Sequence, residues 1–192
     1  MDDDPYVYPG TSVLRNRYEL RDPAALARRE ATITATRLAE LIDCPLLGRY
    51  DLSHLKAFHR HIFGDVYPWA GEIRTVALAK EDLFALPQHI ASYLAGVLEE
   101  LPRESYLRIL DRDQIVNRLT HYLAEINAPH PFREGNGRTQ RAFLGQLAAD
   151  AGYLIAWERL DPQRNIDASR VAHRGDNRPL RAMLAELIER PR

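Results

Sequence analysis

The residues best suited to chemistry stand together in the run His130-Pro131-Phe132-Arg133-Glu134-Gly135-Asn136-Gly137-Arg138-Thr139-Gln140-Arg141. An imidazole with an ordinary pKa of ~6.5, such as His130, can take up a proton near neutrality and act as a general base. Gly135 and Gly137 permit positive φ and leave backbone N–H groups uncovered by side chains. If a helix starts there, those donors and the helix dipole favour an anion. Arg138 and Arg141, one helical turn apart, add planar forks suited to phosphate oxygens. Glu134 is no phosphate ligand, but a carboxylate fits if Mg2+ bridges it to the phosphates. Base, carboxylate and anion cradle in one loop are the parts that phosphoryl or nucleotidyl transfer requires. The Gly-x4-Gly-Lys-Ser/Thr pattern is absent, so this is not a Walker A loop.

Two helices must hold this loop. Asp111 or Asp113 caps a long helix striped by Ile115, Leu119, Tyr122, Leu123 and Ile126, the strongest amphipathic signal in the chain. Pro129 and Pro131 stop it. A second helix runs from about Gly137 through Ala142, Phe143, Leu147 and Ala148 to Gly152. Upstream, Asp22-Pro23 starts a helix that Pro45 and Gly48 end, and Ser53 caps a shorter one closed by Gly64. Ile73 to Leu78 has short-strand character and reads as one arm of a hairpin, after which Pro87 reopens a helix. Asp161-Pro162 and Asn177 begin the last two helices. The first twenty residues read as an extended arm whose Tyr6, Val7, Tyr8 and Leu14 pack on the body, with Asp2-Asp3-Asp4 as disordered charge. The fold class expected is all-α, a helical bundle with a small β-hairpin.

Composition narrows the function. The chain has 192 residues, enough for one domain, and its 26 Lys and Arg nearly balance 27 Asp and Glu. A dedicated nucleic-acid binder normally carries a basic excess, so no nucleic-acid partner is expected. The single cysteine, Cys44, can form no internal disulfide and belongs to no zinc-ligand cluster. The acidic N-terminus lacks the form of a secretory signal, and no apolar run approaches a membrane span. A cytoplasmic protein without membrane partners is expected. The histidines other than His130 have no patterned carboxylate or cysteine and read as surface or satisfied interior residues. Trp69 reads as aromatic packing beneath the hairpin.

The run from His130 to Arg141 resembles the signature loop of the Fic family, His-x-Phe-x-Asp/Glu-Gly-Asn-Gly-Arg-x-x-Arg, with every specified position matched. Tyr67-Pro68-Trp69-Ala70-Gly71-Glu72-Ile73-Arg74-Thr75-Val76 is similar to the family's stretch leading into its target-docking flap. The resemblance implies one Fic domain over 1–192: an arm over 1–21, a catalytic core over 52–174 with a flap at about 73–84, and a last helix over 175–192. It implies a protein adenylyltransferase that moves AMP from ATP to a Tyr, Thr or Ser hydroxyl of a target protein. His130 would be the base, and Phe132 would anchor the loop. Glu134 would hold Mg2+, with the backbone of Gly135, Asn136 and Gly137 and the Asn136 side chain as the anion hole. Arg138 would grip the γ-phosphate and Arg141 the β- or γ-phosphate end. Thr75, Val76, Ala77, Leu78, Ala79 and Lys80 would form the flap, pairing with the target backbone as an added strand. The branch of the family that phosphorylates its targets carries lysine where this chain has Gly137, which favours nucleotidyl transfer over phosphorylation; a phosphotransferase or UMP transferase on the same fold is the alternative. A non-catalytic binding module is the alternative from another class. Family members silenced from within carry Ser/Thr-x-x-x-Glu-Gly/Asn, whose glutamate pairs with a phosphate-holding arginine, here Arg138. The nearest segment, Thr36 to Glu40, is followed by Leu41 and reads as ordinary helix. The resemblance thus implies the toxin of a pair, inhibited by a separate small antitoxin protein.

Overall fold

The computed structural model describes residues 4–78 and 84–190. The arm makes a tight reversal, with Val7 bridged antiparallel to Leu14, and buries Tyr6, Tyr8 and Val13. Asp4 is not loose charge: it accepts from Tyr6 N at 2.9 Å and pairs with Arg133 at 2.9 Å. Helix α1 (Pro23–Asp43) starts where Asp22 caps Ala25 N and Pro23 pre-sets φ. Helix α2 (Leu52–Phe63) is capped by Asp51, which accepts from His54 N, rather than by Ser53. Helix α3 (Pro87–Leu98) leads into the short α4 (Glu100–Arg103).

Helix α5 (Arg112–Asn127) carries a complete capping box between Asp111 and Gln114, which settles the choice between the two aspartates. Its Ile115, Leu119, Tyr122 and Ile126 are fully buried, and the helix forms the axis of the main core. Helix α6 (Asn136–Asp150) packs on both α2 and α5. Helices α7 (Pro162–His173) and α8 (Arg178–Leu187) follow their Asp161 and Asn177 starts and complete the bundle against α5. A second apolar cluster, with Tyr8, Leu26, Phe63, Val66 and Tyr67, joins the arm and α1 to α2.

The mostly helical class is as expected, but the strand pair lies elsewhere. It joins β1 (Leu154–Ile155) to β2 (Ile188–Glu189), antiparallel. Residues 73–78 form no strand ladder: Arg74 N donates to Pro131 O at 2.9 Å, and Phe84 N closes back on Leu78 O at 3.1 Å. Tertiary hydrogen bonds to the signature loop take the groups that a hairpin would have paired. Ala79 and Lys80 of the expected flap lie outside the described residues. No helix among the described residues is long and apolar enough to cross a membrane.

Candidate active site

The loop between α5 and α6 is held from within. Helix α5 ends at Asn127, and Pro129 and Pro131 prevent its continuation. His130 takes the left-handed region at φ +49°, its N–H donating to Asn127 O at 3.1 Å. Gly135 sits at φ +81°, and a Cβ there would lie 2.3 Å from the Phe63 ring, so glycine is required by both conformation and space. Gly137 does not take positive φ; a Cβ on it would come 3.2 Å from Nη1 of Arg141, so its bareness leaves room for that guanidinium.

Asn136 is buried, and both its side-chain polar atoms are engaged. Phe132 N donates to Oδ1 at 2.8 Å and Nδ2 donates to Phe132 O at 2.8 Å. Its side chain therefore clamps the loop from within. Phe132 is buried and stacks at 3.9 Å on His59. That histidine accepts from Gly71 N at Nδ1 (2.7 Å), so its Nε2 carries the hydrogen that Glu134 O accepts at 3.0 Å. Burial holds its pKa down to about 4, and the ring stays neutral. It is a satisfied interior residue, as expected, yet it ties the signature loop to the turn at Gly71. Trp69 packs as expected, stacked on Tyr67 at 4.5 Å.

The first bond of α6 runs from Thr139 N to Gly135 O at 3.0 Å, so the N–H groups of 136–138 precede the helical ladder. The two arginines beside them differ sharply. Arg138 is engaged: Nη2 meets Oε1 of Glu30 at 2.5 Å, Nη1 donates to Thr34 at 3.2 Å, and the guanidinium lies 4.6 Å over the Phe63 ring. Glu134 lies 3.5 Å from it, and Tyr67 also hydrogen-bonds Glu30. Nothing in the sequence marks Glu30, which lies 108 residues away from Arg138. Glu40, the nearest match to the inhibitory pattern, pairs instead with Arg37 at 2.8 Å. Arg141 has no hydrogen bond or ion pair to any described residue. Partial burial lowers its pKa, and the charge of Arg138 adds to the effect.

His130, Glu134, Gly135, Gly137 and Arg141 line one cavity of about 560 Å³, within the ~300–1,000 Å³ usual for small-molecule sites. The described flap residue Leu78 lines it as well; Thr75, Val76 and Ala77 do not. The His130 ring stacks on Phe84 at 4.3 Å. The opposite wall is α7, with Asn165, Ile166 and Ser169, which sequence reasoning treated only as a late helix. An i, i+1, i+4 polar and apolar mixture on an otherwise surface helix was the only available signal. Glu134 accepts from Gly135 N at 2.9 Å through Oε1, and its other oxygen has no hydrogen bond to any described residue. The described residues offer no cluster of three or more His, Cys, Asp or Glu for a metal. One half-free carboxylate at an anion pocket suits magnesium, which commonly takes most of its ligands from phosphates and water.

A family model described as the Fic/DOC family matches residues 49–148. The chain is 41% identical over 182 residues to "Protein adenylyltransferase VbhT" of Bartonella schoenbuchensis, covering 94% of this chain and 38% of that protein. It is 39% identical over 188 residues to "Probable protein adenylyltransferase y4lH" of Sinorhizobium fredii, covering 97% of this chain and 96% of the other. A solved N-terminal Fic domain of a VirB-translocated Bep effector from Bartonella quintana, with bound ADP, superposes with TM-score 0.89 at 25% identity over 97% of this chain and 95% of that one.

Proposed function

The chain belongs to the Fic/DOC family, and on that premise we propose that it is a protein adenylyltransferase, moving AMP from ATP to a Tyr, Thr or Ser hydroxyl of a target protein. One observation carries the reading: Arg141, a partly buried guanidinium with no anionic partner among the described residues, lines the same cavity as His130 at the leading end of α6. An uncompensated buried cation is costly, and a polyphosphate supplies what it lacks. The ADP bound to the Bartonella quintana domain and the adenylyltransferase names of the relatives support the same ligand class.

In this mechanism the imidazole of His130 takes the proton of the acceptor hydroxyl. The oxygen forms a bond to the α-phosphorus, the bond to the β-phosphate oxygen breaks, and pyrophosphate leaves. The N–H groups of 136–138 receive the developing negative charge. Arg141 holds the β- or γ-phosphate end, and Arg138 reaches the γ-phosphate by exchanging Glu30 for it. Glu134 would hold Mg2+ against the phosphates, where the ion would neutralise charge. Control by a small separate antitoxin protein is part of this proposal, since the sequence has no full Ser/Thr-x-x-x-Glu-Gly/Asn segment.

Incubation with magnesium, α-phosphate-labelled ATP and bacterial lysate should label a protein, and His130→Ala should abolish the label. Labelled protein at wild-type level with His130→Ala overturns the reading. Transfer from γ-labelled ATP or from UTP instead identifies phosphorylation or UMP transfer.

A further inference from the structure

Arg74 is the largest fully buried side chain among the described residues, 1% exposed. A guanidinium that deep is normally paired with a carboxylate. Here every hydrogen-bond partner is a backbone carbonyl. Nε donates to His130 O at 2.8 Å, Nη1 to Val76 O at 2.5 Å, and Nη2 to both Ala85 O at 2.7 Å and Pro129 O at 2.9 Å. Its own N–H donates to Pro131 O at 2.9 Å. One planar fork thus ties together three stretches of chain that are far apart in sequence.

The choice of carbonyls matters. The Pro129 carbonyl belongs to the peptide plane before the His130 Cα, and the His130 carbonyl to the plane after it. Holding both fixes φ and ψ of His130 together. That residue is in the left-handed region, which strains an ordinary side chain and persists only where the surroundings impose it. The third carbonyl, Ala85, directly follows Phe84, whose ring stacks on the imidazole at 4.3 Å and 15°. The same guanidinium therefore anchors the backbone carrying the imidazole and the backbone carrying the ring stacked on it. The fourth, Val76, lies within the expected flap itself.

We infer that Arg74 is a positioning residue for transfer: it sets the direction of the His130 imidazole by clamping both peptide planes around that residue and seating Phe84 against the ring. It touches neither the nucleotide cradle nor Arg141. The inference rests on the proposed role of His130 as base. Lysine keeps the charge but presents three donors from one point, and cannot reproduce a planar fork across separated carbonyls.

Two measurements test this. In the wild-type protein, arginine-selective 15N spectra should show the Nη protons of Arg74 as separate, slowly exchanging resonances; one averaged signal overturns the clamp whatever any variant does. For Arg74→Lys, the rate of labelling from α-labelled ATP at saturating nucleotide should fall about thirtyfold or more, while ATP·Mg affinity by titration calorimetry stays within about twofold. An undiminished rate in the folded variant overturns the inference, as does an equal loss of rate and ATP affinity, which marks a general structural defect. If Arg74→Lys does not fold, the 15N result decides alone. The His130→Ala control separates the two failures: residual labelling there removes the base itself, whereas an inactive His130→Ala beside an undiminished Arg74→Lys removes only the positioning role.

Discussion

Under the proposed mechanism Arg138 and Arg141, one turn apart, would enter phosphate binding from opposite starting points. Arg138 must give up Glu30 to reach a phosphate, so its net gain is the difference between two charged contacts. Arg141 gives up no partner among the described residues. Arg141→Ala should therefore weaken ATP·Mg binding by about tenfold or more, equivalent to ~1.5–3 kcal/mol, and by more than Arg138→Ala does in the same calorimeter. Stability should move the other way. Arg138→Ala strands Glu30 and lowers the melting temperature through a loss of about 2 kcal/mol, while Arg141→Ala leaves it unchanged or raises it. Equal effects of the two variants on both measurements would contradict the partnering seen here. His130, Glu134 and the two arginines were legible in the sequence because they lie in one unbroken run, where residue type and spacing speak for themselves. Glu30 and Arg74 were not, since each gains its meaning only when remote segments meet. Asn136 was legible as a member of the run, but its clamp was not, because nothing in the sequence shows that its amide turns back onto Phe132.

Between elements, His59 is the joint, lying on α2 and holding the turn at Gly71 and the loop at Glu134 through a neutral ring. Its pKa is near 4 in the fold and about 6.5 in an unfolded chain. Between those values the unfolded chain binds a proton that the folded one refuses. Stability is therefore whole above about pH 6.5 and declines as pH falls toward 4, by up to roughly 3 kcal/mol. Melting temperatures recorded from pH 7 to 4.5 should fall more steeply for the wild type than for His59→Gln, and parallel slopes would refute the assignment. The helices themselves were readable from caps and stripes, with Asp22, Asp111 and Asp161 marking true starts. Residues 73–78 form no strand ladder among the described residues, because short-strand character signals an extended chain without saying what pairs with it. Here the partners are Pro131 and the Tyr6 hydroxyl, to which Thr75 N donates at 3.1 Å.

Across the whole molecule, the N-terminal arm is built into the site's support. Tyr6 meets Trp69 edge-on at 5.4 Å besides holding Thr75, and Asp4 holds Arg133 within the signature loop. Tyr6→Ala removes a buried ring and should cost ~2–4 kcal/mol, a drop of roughly 5–12 °C for a chain of this size. Calorimetry should show it as a shift of one cooperative transition; an unchanged melt would mean the arm is not integral. That the arm packs was readable from its aromatic residues. Its destination was not, for a tyrosine pattern carries no address. The ion pair between Asp4 and Arg133 has a practical side. An affinity tag or carrier protein fused at Met1 joins the chain three residues before Asp4, whose side chain meets the loop. Under the proposed function such a fusion should lower the rate of labelling, and trimming off a cleavable leader should restore it.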